Sequence, residues 1–152
     1  MRNGASESPI HRKLIDSLYV EAMVLADDAR GYFDQAGRAE RDGLTPIERV
    51  SFSCESLKVT TRLMHIIAWL LTQRAVDAGE MPRREALDPS RRLGQAPYSD
   101  AAAVAAMPEQ ARTLIAASAD LYRRVARLDA AQRDSAPPSP ARTMLDRLSH
   151  AF

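Results

Sequence analysis

The chain has few of the features that would tie it to an extracellular or membrane setting. Cys54 is the single cysteine among 152 residues, so an internal disulfide is impossible, which fits the reducing cytosol. The residues before Pro9 lack the apolar stretch of a signal peptide. The most apolar run, residues 63–71, falls well short of the roughly 20 residues that a membrane span needs. These absences predict a cytoplasmic protein with no membrane span.

Aromatic residues are scarce, and neither sign of charge dominates. Aromatics make up 5% of the chain, and 21 basic residues face 20 acidic ones, for a formal charge of +1. Abundant alanine with few aromatics suits closely approaching helices better than sheets. Bulk binding to nucleic acid usually needs a clear excess of positive charge. The composition therefore predicts an all-α protein and argues against nucleic acid as a partner.

Motifs for catalysis, metal binding and cofactor binding are missing from the sequence. Cys54 and His65 fall on one predicted helix but are separated by roughly 16 Å along its axis, too far for a nucleophile–base pair. His11 and His150 have no neighbouring His, Cys or carboxylate at ligand spacing. The sequence predicts no catalytic, metal or cofactor site, and a protein that is not an enzyme.

The strongest pattern in the chain is one long helix. Thr45, Pro46 and Glu48 form a capping box with proline at the first helical position, and Gly79 is placed to end the helix. Two apolar stripes lie on opposite sides of it. The first stripe has heptad spacing and comprises Val50, Cys54, Leu57, Thr61, Met64, Ala68, Leu71 and Ala75. The second stripe comprises Phe52, Val59, Leu63, Ile66 and Leu70. Both sides of such a helix must be covered, so we predict that it is the buried centre of an assembly.

Two more helices flank this one in the sequence. The first is predicted from Pro9 to about Phe33, and the third from Pro108 to about Asp129. The third helix carries its own seam, made of Met107, Ala111, Leu114, Ser118, Leu121, Val125 and Leu128, with Ile115 and Tyr122 beside it. The first helix has three apolar residues outside its core arc, which form either a contact surface or an unusually apolar solvent face. They are Val20, Met23 and Val24.

The connections between these helices determine the predicted architecture. The first connection is short, so helices one and two should be antiparallel neighbours. The second, residues 79–107, must cross the length of the bundle and could also have a function of its own. We therefore predict an all-α, antiparallel three-helix bundle over residues 9–130, with a long central helix and a long loop before helix three. A disordered N-terminus, residues 1–8, precedes it, and a flexible Pro-rich tail, residues 131–152, follows.

The tail contains a proline-rich hinge at residues 136–140 and then recovers helical spacing. Its apolar residues are Met144, Leu145, Leu148 and Phe152. A short amphipathic segment on a tether is either a docking peptide for a partner or a strap over its own bundle.

Two sets of residues follow as candidate contacts. If the first stripe packs inside the bundle, the second stays open, and a two-fold axis could cover it with its own copy. The predicted homodimer interface is Phe52, Val59, Leu63, Ile66 and Leu70, widened by Val20, Met23 and Val24. The predicted partner-binding residues lie between the stripes or in the tail, and Trp69 among them could act as an anchor. They are Arg49, Glu55, Arg62, Trp69, Gln73, Arg74, Leu145, Leu148 and Phe152.

Whole segments of the chain resemble a known family. Residues 19–25 (YVEAMVL), 53–64 (SCESLKVTTRLM), 68–75 (AWLLTQRA), 78–80 (AGE) and 124–129 (RVARLD) are similar to the RcdA-like family of alphaproteobacterial proteins. The resemblance implies a dimeric three-helix bundle with no catalytic site. It also implies an adaptor that helps deliver cell-cycle regulators to the ClpXP protease, together with response-regulator-type and cyclic-di-GMP-binding partners.

Two functions therefore remain open. One is a proteolysis adaptor, and the other is a DNA-associated transcriptional or cell-cycle regulator with the same helical fold. Salt dependence of partner binding distinguishes them, because phosphate contacts weaken steeply as salt rises.

Overall fold

The fold is all-helical in the computed structural model of the chain, which describes residues 9–135 and 140–151. Three long helices dominate it: α1 (Pro9–Gly31), α3 (Pro46–Asp77) and α6 (Glu109–Ser135). The remaining elements are short: a π-helical turn at Tyr32–Ala36, α2 (Arg38–Asp42), α4 (Arg83–Ala86), a 3₁₀ turn at Pro89–Arg91 and α5 (Ala101–Ala105). A separate helix, α7 (Pro140–Ala151), follows the long ones. The all-α class is confirmed, and α6 continues beyond Asp129, its predicted end.

None of the described helices combines the length and the apolar character that crossing a membrane requires. The predicted disordered N-terminus and most of the predicted hinge, residues 136–139, lie outside the described residues, as does Phe152.

Both predicted ends of α3 are confirmed. The Glu48 amide donates to the Thr45 hydroxyl at 3.3 Å, and the Thr45 amide donates to the Glu48 carboxylate at 3.0 Å. These two hydrogen bonds satisfy two backbone amides that have no partner within the first turn of the helix. At the other end, Gly79 has a φ of +77°. The Glu80 amide then reaches back to the Ala75 carbonyl at 2.9 Å, which closes the helix in a Schellman motif.

The long helices do not all alternate in direction. Asp16 of α1 contacts Arg74 near the end of α3, and the Phe33 and Phe52 rings meet near its start, so α1 and α3 are antiparallel. Contacts between α6 and α3 follow the same order along both helices. Ser118, in the first half of α6, bonds to Arg62 of α3, and Gln132, near the end of α6, bonds to Gln73 of α3. Helices α3 and α6 are therefore parallel, which corrects the antiparallel prediction for this pair. Residues 78–108, here called the crossover, must return along the length of the fold.

The structure reverses the predicted roles of the two stripes on α3. The second stripe, predicted to face another copy, lies in the core of the single chain: Phe52, Val59, Leu63, Ile66 and Leu70 are each at most 3% exposed. The first stripe, predicted to be buried, faces outward: Val50, Leu57, Met64 and Leu71 are 58%, 68%, 64% and 46% exposed, and Cys54 is exposed. The prediction that the second stripe is a dimer interface is therefore wrong, because α1 and α6 already cover it.

The reversal has a physical reason that can be read in the side chains. Every member of the second stripe is a large apolar residue, whereas every other position of the first stripe is small or polar: Cys54, Thr61, Ala68 and Ala75. Burying the second stripe removes more apolar surface from water, so the monomer gains more from covering that side. On the third helix the predicted seam is confirmed, since Ala111, Ser118, Leu121 and Val125 are fully buried.

Truncation of core residues tests this assignment. Ile66→Ala and Leu70→Ala should each lower the free energy of unfolding by about 2–5 kcal/mol, because both side chains are fully buried. Ile47→Ala is the matched control on the same helix, and with Ile47 72% exposed it should cost less than about 0.5 kcal/mol. Urea unfolding followed by circular dichroism measures all three. Equal costs at the core and control positions would contradict the assignment.

Candidate protein-interaction surfaces

The outward side of α3 carries an apolar face, here called the seam face, made of Val50, Leu57, Met64 and Leu71. Heptad spacing places these four side chains along one line of the helix. Exposed apolar residues spread singly are ordinary, but a continuous line of large ones is typical of a contact surface. The seam face is thus the clearest exposed apolar feature of α3.

A groove between α1 and α3 borders the seam face. It has a volume of about 330 Å³, and its walls include Ala26 and Arg30 of α1, Phe33 of the π-helical turn, and Met64 and Ile67 of α3. Met64 belongs to both the groove and the seam face, so the two form one surface.

Three further residues of α1 are exposed, as predicted from their place outside the core arc. Val20, Met23 and Val24 are 60%, 44% and 55% exposed. Met23 precedes Ala26 by three residues and Arg30 by seven, so it lies on the side of α1 that borders the groove. The apolar surface therefore extends from α3 onto α1.

The other flank of α3 holds a buried polar network. Arg62 donates to the Ser118 hydroxyl at 3.2 Å and to the Pro97 carbonyl at 3.1 Å, and a further bond joins it to Ser99. The Ser99 hydroxyl also donates to the Glu55 carboxylate. Glu55 and Arg62 are 2% and 3% exposed. One buried arginine thus connects α3, α6 and the crossover.

The opposite charges in this network lie close enough to offset each other in part. Burial lowers the pKa of Arg62, because removing the guanidinium from water disfavours its charged form, and the negative charge of Glu55 partly offsets that effect. Glu55 also pairs with Lys58 at 2.9 Å. Every charged group in the network therefore has a polar partner, as buried charges require.

A second polar cluster joins the crossover to α3 and α6 at the other end of its extended part. Asp129 accepts from the Trp69 indole at 2.9 Å and from Arg92 at 2.7 Å. The Tyr122 hydroxyl donates to the Gly94 carbonyl at 2.7 Å, and burial is the main cause that raises its pKa. Two clusters, one at each end, therefore fix the extended part of the crossover against α3 and α6.

Gly94 is required at its position because the backbone there lies against His65. A Cβ at Gly94 would lie 2.9 Å from Nδ1 of His65, closer than such atoms approach in proteins. That Nδ1 is buried and makes no hydrogen bond within the part of the chain that the structure describes.

The structure separates the predicted partner-binding residues into two groups. Glu55, Arg62, Trp69 and Gln73 are at most 5% exposed. The prediction that these four offer a surface to partners is therefore wrong, because α6 and the crossover cover that side of α3. The others remain accessible or partly so: Arg49, Arg74, Leu145 and Leu148.

Arg74 is accessible but has contacts of its own. Its guanidinium lies 4.5 Å from the centre of the Tyr19 ring and 3.4 Å from the Asp16 carboxylate. These contacts attach α1 to α3, with an exposed ion pair of the kind that contributes little stability.

Within the ranges 9–135 and 140–151, no group of three or more His, Cys, Asp or Glu side chains is placed to hold a metal ion. The polar clusters found there are hydrogen-bonded structural contacts between helices and the crossover.

The sequence carries a signal for these clusters that the spacing of its apolar residues does not show. Charged residues that lie next to a large apolar stripe, such as Glu55 and Arg62, become core residues once that stripe is the buried one. Their partners Ser99, Asp129 and Arg92 are distant in the sequence, so the pairing itself could not be predicted.

Replacing Arg62 tests the contribution of the polar network. Arg62→Met keeps a similar volume but leaves Ser118, Ser99 and the Pro97 carbonyl without their donor. It should therefore lower the free energy of unfolding by about 1–3 kcal/mol. Exposed Arg127 provides the matched control, since Arg127→Met should change that free energy by less than about 0.5 kcal/mol. A cost at Arg62 no larger than the control would show that the network adds no stability.

Comparison with known proteins places the chain in a family. Residues 6–152 match the family described as a protein of unknown function (DUF1465). No curated protein sequence matches the chain. Among solved structures, the crystal structure of RcdA from Caulobacter crescentus CB15 is similar to it, with 32% sequence identity and a TM-score of 0.67. The similarity covers 83% of this chain and 97% of that one. The chain therefore belongs to the DUF1465 family and is similar to RcdA, which confirms the RcdA-like resemblance seen in its sequence.

Proposed function

We propose that this protein is a non-enzymatic regulator with an RcdA-like role, which helps deliver cell-cycle regulators to the ClpXP protease through protein contacts. Similarity to RcdA over nearly the whole of that chain carries the proposal. The presence of exposed apolar surface on α1, α3 and α7 supports it, since an adaptor needs more than one contact surface. Response-regulator-type co-adaptors are the further partners that the resemblance implies. In this proposal α1, α3 and α6 act as one three-helix bundle that holds these surfaces in place.

The proposal includes a homodimer formed by the seam face. A two-fold axis would place Leu57 and Met64 of one copy against the same residues of another and cover both lines of apolar side chains. The groove beside Met64 and the exposed Met23 would widen the interface. On α3 this face replaces the second stripe, which was predicted to form the interface and lies in the core.

Charge on the seam face tests the homodimer. Leu57→Glu together with Met64→Glu should give a folded monomer, because two carboxylates per copy would meet across the axis without partners. Ala116→Glu, at an exposed position of α6 away from the seam face, is the control and should remain dimeric. Sedimentation velocity at tens of micromolar measures mass, and circular dichroism checks helicity. A monomeric wild type, or a dimer that survives both substitutions, would refute this interface.

The tail supplies a second contact in this proposal. In α7, Met144, Leu145 and Leu148 are 65%, 66% and 49% exposed, so a helix with an apolar side follows the bundle. Such helices bind apolar grooves on partner proteins. We propose that α7 docks on the protease or a co-adaptor, while the strap remains the competing interpretation.

Removing residues 136–152 distinguishes these roles. For a docking peptide, the truncated chain should melt within about 2 °C of the full chain, since no covering segment is lost. It should also retain much less ClpX and ClpP in a pull-down from its own cells. Two substitutions at neighbouring positions of the full chain test the same point. Leu148→Glu should reduce the amount of co-purified protease, and Arg147→Glu should not. A melting temperature several degrees lower with protease retention intact would decide for the strap.

A further inference from the structure

Among the residues that the structure describes, the most exposed aromatic side chain is held on a fixed segment of backbone. Tyr98 is 94% exposed, although it lies between two residues that are tied to the core. Residues 93–100 have no regular secondary structure, so side-chain contacts rather than a helix hold this part of the crossover in place.

The residues on either side of Tyr98 are fixed by the buried polar network. The Pro97 carbonyl accepts from Arg62, and the Ser99 hydroxyl bonds to both Arg62 and Glu55. Because the backbone at Tyr98 is already ordered, a partner that contacts the ring does not bear the cost of ordering the segment. Rigidly presented tyrosines are characteristic of the residues that dominate binding energy in protein interfaces.

A concave surface lies beside the ring. It encloses about 510 Å³, and its walls come from the crossover, from Arg62 and from Ala119, Tyr122 and Arg123 of α6. Two of the described lining residues are arginines, and none of them carries a carboxylate. The surface therefore favours a negatively charged group with an apolar neighbour.

Arg123 is the cation that a bound partner can reach. Its side chain is 66% exposed, and its ion pair with Asp120 is long at 3.6 Å. Exposed pairs of this length contribute little, so exchange of Asp120 for an incoming carboxylate is not costly. The carboxylate of Asp100, next to Ser99 in the chain, accepts from the Ala103 amide at the start of α5, and the buried carboxylate of Glu55 accepts from the Ser99 hydroxyl.

We propose that Tyr98, Tyr122 and Arg123 form a docking site for an acidic segment of a partner protein. A carboxylate of that segment pairs with Arg123, and an apolar side chain next to it packs on the Tyr98 ring. The site rests on the proposed function only in taking the partner to be a protein.

The site is separate from the seam face. Arg62 points from α3 toward α6 and the crossover, whereas Leu57 and Met64 point to the opposite, outward side of α3. A dimer formed through the seam face would leave Tyr98 free. One molecule can therefore hold a second copy and an acidic partner at the same time.

Selection from a random phage-displayed peptide library on the full-length protein tests the proposal. The selected peptides should be enriched in Asp and Glu beside an apolar residue, and their affinity should fall as salt rises, because exposed charge pairs are screened. One selected peptide, labelled with fluorescein, then serves as the probe for variants. Tyr98→Ala and Arg123→Glu should each weaken its binding by at least about tenfold.

Three variants serve as controls for the same probe. Tyr98→Phe keeps the ring and should bind like the wild type. Arg123→Lys keeps the charge and should lose less affinity than Arg123→Glu. Arg38→Glu makes the same charge change at an exposed position of α2 and should have no effect. Melting curves confirm that every variant is folded.

Each other outcome overturns the docking site. Neutral or basic selected peptides, acidic peptides that bind Tyr98→Ala and Arg123→Glu as tightly as the wild type, or no enrichment at all would each do so. Tight binding of single-stranded DNA at this surface, with no acidic peptide selected, would reassign it to nucleic acid. None of these results affects the recovery of ClpX and ClpP in the pull-down, so this site and the proposed function can fail independently.

Discussion

A single buried charge, the Arg62 guanidinium, connects α3 with α6 and with the crossover, whose bonded residues lie 35 to 56 positions further along the chain. Helices α3 and α6 are parallel, so the chain between them has to return along the fold, and α3 and α6 provide a groove for it. Hydrogen bonds hold the extended part of the crossover in that groove, and Leu93, Val104 and Met107 pack against the core. A buried arginine is costly unless every nearby polar group is satisfied. Arg62 therefore places Pro97 and Ser99 within narrow limits, and the position of Tyr98 follows from theirs.

The two sides of α3 perform different tasks because they differ in what they can bury. Large side chains such as Phe52 and Ile66 gain the most from leaving water, so they face α1 and α6. The first stripe alternates large residues with small or polar ones, so it remains outside, and its large residues form the seam face. Its heptad spacing is that of a helix that packs against another helix, which is why a second copy is the occupant that we propose. A helix of about 48 Å, with its 32 residues, is long enough to serve both purposes at once.

Much of the fold followed from local rules. The capping box at Thr45 and the stop at Gly79 are formed by residues next to each other in the chain, so they could be predicted and are confirmed. The seam of α6 was also predictable, since only one side of that helix is apolar and nothing competes with it. The same reasoning failed on α3, where two apolar stripes offered two solutions. The size of the side chains, rather than their spacing, distinguishes them.

For the candidate surfaces, too, the sequence determined some properties and the tertiary structure decided others. By itself the sequence determined that the protein is helical, where α3 begins and ends, that Val20, Met23 and Val24 are outside the core arc of α1, and that the whole resembles the RcdA-like family. These properties depend on neighbouring residues or on similarity along the chain. Only the tertiary structure decided that Glu55, Arg62 and Trp69 are buried, that Tyr98 is exposed beside Arg123, and that the seam face points outward. Those properties depend on contacts between α3, α6 and the crossover, whose partners lie tens of residues apart, and no local pattern specifies which of them meet.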